Sequence, residues 1–227
     1  MDTKQPLRLA SLPLLQGISA LDISQLIMEN VGTRELSLED GERFVTQGDV
    51  CQHLAFLLDG TFRTTTDYPE RSYNFTEYLS GPMVIEPDVL YGIQRQFVST
   101  YEALGTCHLL LIPKSDVNRL LFSIEVFRLN YLNLLSTLSV RRRQASLPPP
   151  LPNLRARICQ FFALHATTPS GTKQFRIRMS DMARYLDTTR ARISVVLHEI
   201  QAERLIRIDR NFIEIPHLED LTPTLPT

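Results

Sequence analysis

The stretch TTRARISVVLHEIQAERLIR, residues 188–207, gathers residue types that suit contact with a polyanion bearing patterned hydrogen-bonding edges. At 100° per residue, Ile193, Val196, Leu197 and Ile200 share one face of a helix, enough to dock it on a core. The opposite face is Ala191, Ser194, Val195, His198 and Ala202. Short side chains let a helix backbone sit deep in a major groove, and the valine suits a thymine methyl group. Arg190 and Arg192 stand in the first turn beside Thr188 and Thr189, either of which can cap the helix. Cations there oppose the helix dipole, so local helix stability does not account for them. Bidentate contact with phosphate or guanine does. The residues by themselves leave two readings: a helix that only packs a core, or one that packs on one side and reads DNA on the other.

Such a helix needs neighbours to hold it. Upstream, LRARICQFFALHA (154–166) places Ile158, Phe161, Phe162 and His165 in helical register, FRIRM (175–179) suits a strand, and SDMARYLD (180–187) suits a short helix with Met182, Ala183 and Leu186 inward. Downstream, RIDRNFIEI (207–215) has two alternating runs around Asp209-Arg210-Asn211, the pattern of a hairpin wing. This part of the chain is basic. Residues 141–217 carry fourteen Lys/Arg against six Asp/Glu, whereas residues 1–140 carry ten against seventeen, so the net charge of −1 conceals an acidic module joined to a basic one.

The acidic part begins with apolar periodicity over 18–31, suited to a short helix. Short runs at 35–38, 43–45, 54–58, 61–66, 73–79 and 109–112 follow, rich in Thr, Tyr, Phe and Val. Turn residues separate them at Gly41, Gly48-Asp49, Asp59-Gly60, 67–69 and Gly81-Pro82, which predicts an antiparallel sandwich or barrel. From about Lys114 the pattern turns helical. Ile124, Phe127, Tyr131, Leu134 and Leu138 are spaced 3, 4, 3, 4, a coiled-coil seam, with Leu132 and Leu135 as a second stripe. We expect the second stripe to cover the sheet module and the seam to meet the same helix of a second subunit; a monomer whose later domain covers the seam is the alternative. Arg141, Arg142 and Arg143 suit the end of that helix, and LPPPLP (147–152) forbids its continuation.

Several classes fit poorly. No run of about 20 apolar residues suits a bilayer, and the N-terminus lacks a signal-peptide cleavage pattern, so a soluble cytoplasmic protein without membrane association is expected. Cys51, Cys107 and Cys159 are far apart with no CxxC spacing. A cupin-like metal enzyme would need converging histidines, but His53, His108, His165, His198 and His217 are scattered, so neither metal, cofactor nor catalytic residues are expected.

GERFVTQGD (41–49), LLDGTFRT (57–64), LRARICQFFALHA and above all MARYLDTTRARISVVLHEIQAERLI (182–206) carry a resemblance to a known family. The whole chain resembles the cAMP receptor protein/fumarate-nitrate regulator (Crp-Fnr) family of bacterial transcription factors. The resemblance implies an α+β chain: a β-roll effector domain (1–122), a dimerisation helix (123–146), a proline linker (147–152), a winged helix-turn-helix (153–217) and a tail (218–227). It implies a homodimer on double-stranded DNA, with RNA polymerase and an unknown small-molecule effector as further partners. Residues 188–198 would lie in a major groove, with Thr188 and Thr189 among the DNA contacts, Arg190, Arg192, Ser194, Val195 and His198 nearest the bases, and Arg178, Ser180 and Arg210 on phosphates.

The departures from the family pattern carry their own expectations. At the tight turn between the two helices Asp187 replaces the usual glycine, and aspartate tolerates left-handed backbone better than most residues. In the run Arg190 to Val195, Ala191 and Val195 replace the family's glutamate and second arginine, so a different half-site is expected. Where cyclic-nucleotide-binding members carry a Gly-Glu pair and an Arg-(Ser/Thr) pair, this chain has Ile85-Glu86 and Phe97-Val98. Without the arginine a buried phosphate is costly, and cAMP binding is not expected unless Arg95, Ser99 or Thr100 substitutes. Glu86 then has two readings, a ribose contact or a structural carboxylate. The alternative function is a cyclic-nucleotide-binding or other small-ligand-binding regulatory protein without sequence-specific DNA readout.

Overall fold

The computed structural model describes residues 12–19, 32–146 and 153–221. The expected helix over 18–31 and the proline segment 147–152 lie, apart from Ile18 and Ser19, outside the described residues. The chain falls into two compact units, Met1–Phe62 with Ser80–Ser146 and Arg63–Leu79 with Leu147–Thr227.

The first unit is built on antiparallel strands, as the alternating short runs require. β1 (Arg34–Leu38) pairs with β6 (Thr100–Pro113), β2 (Arg43–Val45) pairs with the start of β6, and β5 (Met83–Ile85) pairs with β3 (His53–Tyr68). β3 continues into the second unit and pairs with β4 (Tyr73–Ser80). Phe44, Phe62, Phe97 and Tyr101 form an aromatic cluster inside the first unit.

Two expected strands, 54–58 and 61–66, are one strand of 16 residues. Gly60 is not a turn there. A Cβ at that position would stand 2.6 Å from the Thr106 carbonyl oxygen and 2.8 Å from Cys107 Cα, so the glycine permits close approach of β3 to β6.

Two helices close the unit, α1 (Lys114–Ser123) and α2 (Glu125–Ser146). The expected assignment of the α2 stripes is corrected here. Phe127 and Tyr131 are 0% and 2% exposed, and Tyr131 donates from its hydroxyl to the Pro87 carbonyl at 2.6 Å. Ile124, Leu134 and Leu138 are half-buried along the same stripe. Phe127 and Tyr131 therefore pack into the first unit's own core rather than being left for a partner. The open face is Val126, Leu129, Leu132, Asn133, Ser136 and Val140.

In the second unit β7 (Lys173–Ile177) lies between β4 and β9 (Phe212–Ile215), and β8 (Arg207–Asp209) completes the sheet. Four helices accompany it: α3 (Leu154–His165), α4 (Met179–Tyr185), α5 (Arg190–Ala202) and α6 (Leu218–Leu221). Asn153 caps α3 by accepting the Ala156 N–H at 2.9 Å. One core unites Ile158, Phe161, Phe162, Phe175, Met182, Leu186, Ile193, Leu197 and Ile200 with Tyr73 and Phe75 of β4. The strand expected at 175–179 begins and ends two residues earlier. Arg178 is in extended backbone at the N-cap of α4, and Met179 opens the helix.

Candidate nucleic-acid interface

The turn between α4 and α5 is a left-handed stop. Asp187 has φ 44°, Thr188 donates its N–H to the Ala183 carbonyl at 2.9 Å, and Asp187 donates to Arg184 at 3.4 Å. These are the two bonds of a Schellman motif, with aspartate standing where glycine is the usual choice. Arg157 of α3 donates to the Leu186 carbonyl in the same turn, a contact between residues 29 apart that leaves no mark in the local pattern.

α5 starts on Thr189, whose side chain accepts the Arg192 N–H at 3.4 Å. Thr188 does not share that role and is half-buried. Its hydroxyl is buried without a hydrogen-bond partner among the described residues.

Ile193, Leu197 and Ile200 are 0% exposed, while Val195 on the far side is 59% exposed. Arg190, Ala191, Arg192 and His198 are exposed and Ser194 is half-buried. His198 donates from Nδ1 to the Ser194 carbonyl at 2.6 Å, which leaves Nε2 outward. The helix ends in a second Schellman motif. Arg204 has φ 65°, Leu205 donates to Ile200 at 3.3 Å and Arg204 to Gln201 at 2.9 Å. The chain then turns directly into the wing.

The wing has a two-residue tip, because Asp209 pairs with Phe212. Arg210 takes φ 47° there and is exposed, and the Asn211 carbonyl accepts the Ile177 N–H at 2.7 Å. Arg178 and Ser180 are exposed at the start of α4. The buried carboxylate of Asp181 pairs with Arg178 at 3.4 Å and Arg184 at 3.5 Å, holding two guanidiniums beside the same helix. Arg184 was not among the expected contacts; its i+3 spacing from Asp181 was the available signal.

Of the residues expected to line an effector pocket, Glu86 and Ser99 come together in the first unit. Glu86 has φ 35°, and its carboxylate accepts the N–H of Val98 at 2.7 Å, the N–H of Ser99 at 3.1 Å and the Tyr101 hydroxyl at 3.2 Å. Burial pushes its carboxyl up from the usual range, against the pull of those donors. Thr100 Oγ1 accepts the Gln47 N–H at 3.0 Å, Arg95 points to solvent, and Phe97 is 5% exposed in the aromatic cluster. Neither Arg95 nor Thr100 joins Glu86. His108, one of the roll's two histidines, shares a 3.0 Å hydrogen bond with Ser37 Oγ. Among the described residues no three His, Cys, Asp or Glu side chains are grouped to hold a metal ion.

Residues 35–123 match the family model described as cyclic nucleotide-binding domain, and residues 156–223 match the one described as Crp-like helix-turn-helix domain. The chain thus joins a cyclic nucleotide-binding domain to a Crp-like helix-turn-helix domain. Among solved structures, this chain is similar to the Thermus thermophilus catabolite activator protein, 18% identical with 92% of this chain and 96% of that one covered, TM-score 0.48. It is also similar to a cyclic nucleotide binding protein from Ruegeria pomeroyi, 16% identical with 99% and 100% covered, TM-score 0.48. A curated relative is the ABC transporter ATP-binding protein YtrB of Bacillus subtilis, 28% identical over 119 residues, 49% of this chain. That match spans 38% of YtrB's own length. The present sequence contains no G-x-x-x-x-G-K-(S/T) run to cradle nucleotide phosphates.

No helix among the described residues is long and apolar enough to cross a membrane.

Proposed function

We propose that this Crp-Fnr protein is a cytoplasmic, homodimeric, sequence-specific DNA-binding regulator without catalytic activity, and that its β-roll does not take cAMP. The observation that carries the reading is the two-sidedness of α5: three wholly buried apolar residues on one side, and Arg190, Arg192, Val195 and His198 open on the other. Placed in a major groove, Arg190 and Arg192 reach base edges or phosphates, His198 Nε2 presents a further polar group, and Val195 meets a thymine methyl. Arg178, Ser180 and Arg210 hold the backbone on either side of that helix, and RNA polymerase is the further partner of a regulator bound this way.

Two observations support the reading of the roll. The backbone N–H groups of Val98 and Ser99 are taken by the chain's own Glu86 carboxylate, and a buried phenylalanine, Phe97, stands where an anchoring arginine would be needed. The dimer is supported by the open face of α2. Val126, Leu129, Asn133, Ser136 and Val140 are spaced 3, 4, 3, 4 and exposed, and an asparagine at a seam position is a device that sets register in two-stranded coiled coils. Selection of duplexes by the purified chain, with and without cAMP, tests the reading: one sequence class enriched equally in both arms supports it, whereas enrichment only with cAMP overturns the account of the roll.

A further inference from the structure

The second unit contains a strand contributed from the middle of the roll's sequence. β4 runs antiparallel to β7 over five pairs, from Tyr73 opposite Ile177 to Glu77 opposite Lys173. At the Glu77 end, Lys173 Nζ donates to Glu77 Oε2 at 2.9 Å and to Thr168 Oγ1 at 2.8 Å, and the Thr167 N–H donates to both Glu77 oxygens at 3.1 Å. The two charged side chains are 0% and 3% exposed. Buried charges of this kind are tolerated only when paired and hydrogen-bonded. A one-residue slip of β4 would send Glu77 to the other face of the sheet and leave Lys173 alone, so the pair fixes the register.

At the other end, Tyr73 Oη donates to His165 Nε2 at 2.6 Å, and the Arg71 guanidinium lies 5.3 Å from the centre of the Tyr185 ring. His165 closes α3 and Tyr185 closes α4. Ile177, opposite Tyr73, is the residue before Arg178. The hairpin thus touches each element that leads to the reading helix: α3, β7 and α4.

We propose that the hairpin Arg63–Leu79 is a positioning element of the DNA-reading unit, held in register by the Glu77–Lys173 pair and bearing on α3 and α4 through Tyr73 and Arg71. This rests on the DNA-reading function proposed above. Since β3 begins at His53 in the first unit and ends at Tyr68 in the second, the hairpin is also a covalent path between the units, separate from residues 147–152. Glu77 touches no DNA in this account and acts through the strand it secures.

The test uses the full chain with Glu77→Gln, Lys173→Met, and Glu77→Met combined with Lys173→Met. Amide hydrogen exchange in β4 and β7 is measured beside the affinity ratio of a selected operator to random duplex, below the unfolding midpoint of every variant. Each single variant should speed exchange across 73–77 and 173–177 by about tenfold or more and lower the operator preference. The apolar pair, which leaves no charge uncompensated, should restore both. Unchanged exchange in the single variants, faster exchange with an unchanged operator preference, or failure of the apolar pair to restore either readout would overturn the proposal. If the native chain prefers no duplex, the DNA-reading function fails by itself, while exchange still decides whether the pair secures the hairpin.

Discussion

Val195 and Leu197 stand two residues apart on α5 and on opposite sides of it, the first 59% exposed and the second wholly buried. Val195→Ala should leave stability within about 0.5 kcal/mol of the native chain and change which bases are selected. Leu197→Ala should cost about 2–5 kcal/mol. Thermal unfolding beside duplex selection separates the two effects.

Asp187 holds a left-handed turn at φ 44°. Asp187→Gly should keep or raise the unfolding midpoint, because glycine enters that region without steric cost. Asp187→Ala should lower stability by about 1 kcal/mol, since alanine has no short polar side chain to favour the left-handed region. Equal midpoints for the two variants would contradict a strained turn.

Burial pushes the His165 imidazole down from 6.5. Its ring is fixed by Tyr73 at Nε2 and by the Phe161 carbonyl at Nδ1, each at 2.6 Å. The neutral ring is therefore the folded form, and the unfolded chain binds more protons once the pH falls below about 6.5. The stability this residue contributes is present above 6.5 and is lost as the pH falls through the lowered folded value. His53, also pushed down by burial, acts in the same direction. His165→Gln should flatten that part of the unfolding profile measured from pH 8 to 5.

The two sides of α2 make opposite demands. Leu129→Glu should convert a dimer to a monomer in sedimentation while the chain stays folded, because Leu129 is 50% exposed. Phe127→Ala should instead unfold the first unit, at a cost of about 3–5 kcal/mol. A dimer unaffected by Leu129→Glu would place the contact elsewhere.

Much of the reading helix was legible because its information is local. The 3.6-residue period separates Ile193, Leu197 and Ile200 from Val195 and His198 in any tertiary setting. The wing was legible for the same reason, since alternation and a short polar tip need no distant partner. What the sequence concealed was non-local. The stripe through Phe127 and Tyr131 was visible, but whether it meets the roll or a partner depends on where the Pro87 carbonyl and Tyr91 stand, and Tyr131 follows them. Gly60 read as a turn because nothing near it announces that β6 passes close by. The hairpin at 63–79 was assigned to the roll, because a strand's partner across a sheet leaves no periodic mark. The five-pair register with β7 and the burial of Glu77 with Lys173, 96 residues apart, show where that strand belongs. Nothing in the local pattern separates a ligand contact from a structural carboxylate at Glu86, because the three donors its carboxylate accepts from lie twelve to fifteen residues away.

The central claim is that α5 reads sequence. Its most direct measurement is selection by the purified full-length chain from random duplexes at moderate salt, repeated with Arg190→Ala and Arg210→Ala. The account predicts a two-fold symmetric site with half-sites about 10–10.5 base pairs apart, relaxed at one position by Arg190→Ala. Arg210→Ala should weaken all duplexes alike and lower the salt slope by about one unit. Enrichment of no sequence by the native chain, or a loss of affinity in Arg190→Ala that is equal on every duplex, would contradict it.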